Sequence, residues 1–210
     1  MNITILGAGN MGSAFAKQLT LAGHSVRVTA RDLKKAQAIA ANNLGVKAVP
    51  AGEALAGSDV VILATGYADA VPALRSLGSL DGKVVIDITN PLTADYMGLT
   101  LGFSTSAAEE IAKASPGAEI VKGFNTLFAQ VLAEGSNFGA GQKATVFLAS
   151  DSARAKQTAR ALAESMGLQT VDAGGLKNAR YLEPLAGLNI FLGYSAGMGT
   201  GIAPAWLRAA

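Results

Sequence analysis

Ile3-Thr4-Ile5-Leu6-Gly7-Ala8-Gly9-Asn10-Met11-Gly12 decides the fold of this chain. A short apolar run of strand type passes directly into Gly-x-Gly-x-x-Gly and then into a helix, with Met11, Phe15, Leu19 and Ala22 on one stripe. The three glycines serve different ends. Gly7 allows the tight strand-to-helix turn, and Gly9 lets the backbone approach a pyrophosphate with no Cβ between them. Gly12 lets the new helix pack close against the strand. The N–H groups of the first helical turn, those of Asn10 and Met11 among them, then face the phosphates with the positive end of the helix dipole behind them. The pattern predicts an α/β dinucleotide-binding domain.

The end of the second strand selects the dinucleotide. Ser25-Val26-Arg27-Val28-Thr29 stops where NAD-preferring folds place an Asp or Glu on the ribose 2′-hydroxyl. Here the chain continues Ala30-Arg31-Asp32-Leu33-Lys34-Lys35. Arg31 can hold a phosphate dianion bidentately, and Lys35, one helical turn on, adds point charge. Asp32 suits the cap of the helix that follows. NADP is therefore expected over NAD.

Composition narrows the rest. The chain has 210 residues, half of them apolar and 15% charged, enough for one large α/β domain with a small appendage. Seventeen basic residues against 15 acidic ones leave a net charge of +2 without a basic stripe, so nucleic acid is not an expected partner. With no cysteine, disulfides, thiolate metal sites and thiol nucleophiles are excluded, and no metal site is expected. The single histidine, His24, falls in the turn after the first helix, at the wrong edge of a parallel sheet for chemistry, and is expected to be solvated. No signal-type segment precedes the first strand, so a cytoplasmic protein is expected. Leu185 to Ile202 is uncharged and long enough to span a bilayer, but its glycines, Asn189 and Ser195 fit a buried or dimer-forming helix and a glycine-rich turn better. No membrane contact is expected, and a homodimer is.

Apolar strand-like runs recur at 25–29, 46–49, 59–65, 83–88, 119–123, 144–149 and 169–172, with helices between them, clearest at 33–44, 106–114 and 153–166. This is the order of a Rossmann-type, doubly wound, mostly parallel sheet. Residues 1–175 are expected to form the NADP-binding domain and 176–210 a small C-terminal helical extension serving dimer and acceptor. Ligands on such sheets sit beyond the carboxyl ends of the strands. The loops carrying Thr65, Asn90-Pro91 and Asn125-Thr126 should therefore meet around the nicotinamide. They offer no Lys–His pair, no carboxylate dyad and no Ser-His-Asp set. Direct hydride transfer to a ring held against the nicotinamide suits such a site, with Asn125 and Thr126 positioning rather than exchanging protons.

The Gly7–Gly12 motif, Arg31 with Lys35, Ile88-Thr89-Asn90-Pro91, Val121-Lys122-Gly123-Phe124-Asn125-Thr126 and the run from Asp172 to Arg180 resemble the NADP reductases dependent on the deazaflavin coenzyme F420. The resemblance runs in order along nearly the whole chain. It implies a Rossmann domain with a C-terminal helical piece, a homodimer, and hydride transfer between NADP(H) and F420. It also implies that Arg31 and Lys35 contact the 2′-phosphate and that the backbone of Leu127 to Ala129 receives the nicotinamide carboxamide. Asn125 stands where those enzymes tend to carry His, and Pro184 and Ala186 stand where hydroxyl side chains begin their last helix. Gly123-Phe124-Asn125 is more similar to the NADPH domain of membrane metalloreductases, which reduce a flavin. The small-molecule acceptor is thus open among F420, FAD and FMN. Two alternatives share the opening motif: an imine reductase of the pyrroline-5-carboxylate type, and a non-catalytic NADPH-binding sensor.

Overall fold

Val60-Val61-Ile62-Leu63 is buried along its whole length, as a strand covered on both faces must be. It is the fourth of six parallel strands in the computed structural model, which describes residues 1–135, 137–139 and 141–206. These are β1 (Asn2–Leu6), β2 (Ser25–Thr29), β3 (Lys47–Ala48), β4 (Val60–Leu63), β5 (Val84–Asp87) and β6 (Glu119–Lys122), in the order β3-β2-β1-β4-β5-β6. The order reverses beside β1, which opens a crevice at the carboxyl ends of β1 and β4. Ile3, Ile5, Val60 and Ile62 turn to one face with Phe15 and Leu19. Leu6, Val61 and Leu63 turn to the other with Leu74 and Ile111. The sheet is thus the middle layer of a Rossmann-like α/β sandwich.

The connecting helices are α1 (Asn10–Leu21), α2 (Leu33–Asn42), α3 (Tyr67–Ser76), α4 (Ala107–Ala114), α5 (Ala129–Glu134) and α6 (Ala153–Ser165). Their caps follow the sequence. Asp32 accepts from Lys34 N–H, Ser106 from Glu109 N–H and Ser152 from Ala155 N–H, at the heads of α2, α4 and α6. No side chain caps α1, α3 or α5.

Three expectations need correction. The single sheet is supplemented by a separate parallel pair, β7 (Thr145–Leu148) and β8 (Gln169–Asp172). It joins β6 through one antiparallel bridge, in which Lys122 and Ala149 exchange both backbone hydrogen bonds. The stretch 185–202 divides into a helix and a glycine-rich turn as expected, but Pro184 and Ala186 do not stand at that helix's start. The last helix, α7 (Ala179–Ile190), begins earlier, so Pro184 and Ala186 lie in its interior. It widens into a π-turn over Phe191–Ser195 and gives way to a glycine-rich segment. That segment returns to the sheet, where Trp206 meets Phe147 edge to face at 4.9 Å between ring centroids. His24 does lie in its turn, but half-buried, with Nε2 2.8 Å from Ser165 Oγ.

Among the described residues no helix is long and apolar enough to cross a membrane.

Candidate active site

The glycine motif is built as its chemistry requires. Gly7 has φ +129°, and its N–H donates to Thr29 O at 2.8 Å, pinning the turn to the end of β2. A Cβ on Gly7 would lie 2.2 Å from Ala64 O, and one on Gly12 would lie 2.1 Å from Gly7 O. Both contacts are with backbone, which cannot step aside. In front of Gly9 there is nothing within 4 Å. Two glycines thus hold the turn closed, while the third faces open space at an uncapped helix start. This is a cradle that fits a pyrophosphate.

Beyond the strand ends, Asn10, Met11, Asn90, Asn125, Thr126 and Ala129 line one cavity of about 250 Å3, together with Leu127. A larger space of about 530 Å3, bordered by Ser13, Lys17, Asn43 and Gln130, shares Asn10, Phe128, Ala129 and Tyr194 with it. The converging polar groups are oriented by one another. Asn90 Nδ2 donates to Asn125 O at 2.9 Å, and Asn125 Nδ2 donates to Asn90 Oδ1 at 3.0 Å and to Leu182 O at 2.9 Å. A carbonyl can only accept, so the Leu182 contact fixes which end of the Asn125 amide is NH2. Its Oδ1 is left buried without a partner, as are Thr126 Oγ1 and Thr65 Oγ1. Buried polar atoms are nearly always satisfied, so the two orphans on cavity-lining residues, Asn125 and Thr126, point to a ligand, while Thr65 lines neither cavity. A carboxamide, which both donates and accepts, complements Asn125 and Thr126.

The other anticipated residues distribute around this centre. Thr65 follows β4 beside the Gly7 turn. Pro91 is buried, and its carbonyl accepts from Thr100 N–H at 2.7 Å, so it shapes the loop rather than facing the cavity. Leu127 N–H is already spent on Phe124 O at 3.1 Å, and Ala129 begins α5 at the cavity. Arg31 and Lys35 lie at the head of α2, and neither lines these cavities. The Arg31 guanidinium is largely exposed and rests 3.3 Å from an Asp69 carboxylate oxygen in the first turn of α3.

Sequence reasoning missed the buried charges beneath the loops. Lys122 is fully buried; its ammonium stands 2.7 Å from Asp87 and 2.9 Å from Glu183, and donates to Thr89 O at 2.7 Å. Glu183 also accepts from the N–H groups of Ala107 and Ala108 at the head of α4, and Asp87 accepts from Thr89 N–H. The ends of β5 and β6, the head of α4 and α7 are thereby tied to one cation. The signal was present: Asp87 and Lys122 are register partners at the ends of adjacent strands, each following two apolar residues. Burial, and then the carboxylates of Glu110, Glu183 and Asp87, raise the Tyr67 phenol above its ordinary value, so it is a donor here and not a base.

One family model, two relatives in sequence and one solved structure are similar to this chain. The family model described as NADP oxidoreductase, coenzyme F420-dependent, matches residues 2–91. The F420-dependent NADP reductase of Methanothermobacter marburgensis is 31% identical over 209 residues, covering 91% of this chain and 92% of its own length. The metalloreductase STEAP3 of Rattus norvegicus is 30% identical over 184 residues, 87% of this chain, which spans only 36% of that protein. A crystal structure from Arthrobacter sp. FB24, provisionally assigned as an F420-dependent NADP reductase, superposes with a TM-score of 0.85 at 29% identity, covering 95% of this chain and 96% of that one.

Proposed function

This chain belongs to the coenzyme F420-dependent NADP oxidoreductase family, and from that membership we propose that it passes a hydride directly between NADP(H) and a planar flavin or deazaflavin ring. The observation that carries the proposal is the pair of buried, unpartnered polar atoms, Asn125 Oδ1 and Thr126 Oγ1, on residues that line one cavity with Asn10 and Met11 of the glycine motif. When bound, the nicotinamide and the acceptor ring supply the redox chemistry between them. The chain's own part is placement.

Gly7, Gly9, Gly12 and the first-turn N–H groups of Asn10 and Met11 receive the pyrophosphate, and Thr65 offers its hydroxyl beside them. Arg31 and Lys35 bind the 2′-phosphate, with Arg31 exchanging its Asp69 contact for the phosphate. Asn90 fixes the Asn125 amide, and Asn125, Thr126 and Ala129 hold the carboxamide so that one face of the nicotinamide is open. No acid or base lies among these groups, which suits a transfer that needs orientation and exclusion of water rather than proton exchange. F420, FMN and FAD are the acceptor class.

Residues 1–175 serve NADP, and the extension from 176 serves the acceptor and a homodimer contact. Exposed Tyr181, Leu188 and Phe191 on α7 and its π-turn support that contact. Residues 207–210 of the extension lie outside the described residues. The cytoplasm, which supplies NADPH, is the proposed compartment.

The test is NADPH oxidation with F420, FMN or FAD, using deuterium at the nicotinamide C4. A primary isotope effect and a rate without a protein-derived bell in pH are expected. A bell-shaped profile belonging to a side chain, or no isotope effect when chemistry limits the rate, would overturn direct transfer.

A further inference from the structure

Two tyrosines border the cavity beside the residues assigned to NADP. Tyr96 and Tyr194 both line the 250 Å3 cavity, yet their residues are 63% and 65% exposed. Large rings left in solvent at the rim of a cleft are surface for a ligand rather than core. Their backbones hold them there. Tyr96 sits at φ +62°, a left-handed conformation rare for a ring-bearing residue, at the tip of the loop between β5 and α4. Its N–H donates to Thr93 O at 2.9 Å, and the Asp95 carboxylate accepts from the Thr93 hydroxyl and from Met97 N–H. Tyr194 stands in the π-turn, a geometry that re-aims side chains at functional sites. Its ring is braced edge to face on Phe128, with 5.6 Å between centroids.

The two supports touch. The Ser195 hydroxyl donates to Met97 Sδ at 3.0 Å, so the residues next to each tyrosine are in direct contact across the mouth. Loop and π-turn therefore present their rings from adjoining positions on separate elements.

We propose that Tyr96 and Tyr194 form an aromatic clamp that receives the planar ring of the hydride acceptor over the nicotinamide cavity and selects planar heteroaromatic acceptors. The proposal rests on the reductase reading above. Deep in the cavity the groups are amide and hydroxyl, matched to a carboxamide. At the mouth they are two largely exposed aromatic rings, matched to a flat ring. Neither tyrosine exchanges a proton; both position the ring.

The experiment uses Tyr96→Ala, Tyr194→Ala and the two Tyr→Phe variants. In the presence of NADP+, FMN and F420 are titrated by quenching of their own fluorescence, and KM and kcat are measured with each. NADPH binding is titrated separately. Each alanine variant should weaken ring binding and raise acceptor KM about tenfold, the loss that removing one stacking face brings. NADPH affinity should stay within about twofold, and the phenylalanine variants should keep ring binding within about twofold. Alanine variants that bind and turn over the acceptors like the parent would overturn the clamp and leave the reductase reading intact. So would phenylalanine variants as impaired as the alanines, since the hydroxyl would then be the contact. A parent protein that neither quenches nor reduces any planar acceptor would overturn the reductase reading, and the clamp with it.

Discussion

The Lys122 ammonium lies 2.9 Å from the Glu183 carboxylate, and both side chains are shut away from solvent. One contact thus joins the end of β6 to α7. Because Glu183 also holds the head of α4 and Lys122 also holds Asp87 and Thr89, the seat of the last helix and the shape of the Asn90 loop are set together. Removing one member leaves uncompensated buried charge. Lys122→Met should destabilise the fold by about 3–5 kcal/mol, the range for breaking a buried ion pair from one side. Urea unfolding measures it. A loss under about 1 kcal/mol would show that the network is not tied into the fold as described.

Cofactor choice should follow Arg31 and Lys35. NADPH is expected to bind at least tenfold tighter than NADH, a gap of about 1.4 kcal/mol. Arg31→Ala should remove most of that gap. Asp69→Asn should widen it by up to about fivefold, since an exposed ion pair holds its partner by no more than about 1 kcal/mol. Calorimetric titration of both cofactors decides, and equal affinities in the parent would refute the assignment.

The glycines should separate binding from folding. Gly9→Val places its side chain in open space and should abolish NADPH binding while leaving the melting temperature nearly unchanged. Gly12→Val drives a Cβ toward Gly7 O and should lower the melting temperature by several degrees, a shift corresponding to about 1–3 kcal/mol. Cofactor binding by Gly9→Val within about twofold of the parent would remove that residue from the cradle.

Acid should loosen α7 first. Paired hydrogen bonds from Arg180, at 2.8 and 2.7 Å, hold the Glu109 carboxyl below its ordinary value, and the Ser106 hydroxyl adds to this. A carboxyl depressed in the folded state contributes stability that is complete above its unfolded value, near about 4.3, and is lost as pH falls through the lower folded value. Glu109→Gln should therefore flatten the acid limb of stability against pH below about 4 and leave the neutral region with a constant offset. An unchanged acid limb would contradict the assignment.

The central strands were legible because each is an apolar run bounded by turn residues, and all eight strands overlap the stretches where the pattern put them. The glycine motif likewise carried its geometry in its spacing. What escaped was long-range. The direction in which β7 meets β6 depends on a single bridge at Lys122 and Ala149, which leaves no periodic trace. Asp87, Lys122 and Glu183 come from three separate elements, so only the strand register and the seat of α7 bring them together. Asn125 was expected among the polar groups of the cavity, which it does line. That its Oδ1 would be the orphaned atom follows from the carbonyl of Leu182, 57 residues away.

Trp206 is the sole tryptophan of the chain, and its ring rests against Phe147 on β7. Neither ring borders the nicotinamide cavity. Indole emission is thus a built-in optical gauge of whether the segment after the π-turn is seated on the sheet. Recorded beside the fluorescence of a ring bound at the mouth, it gives two colours for two events: the closing of the chain's own tail and the arrival of its reaction partner.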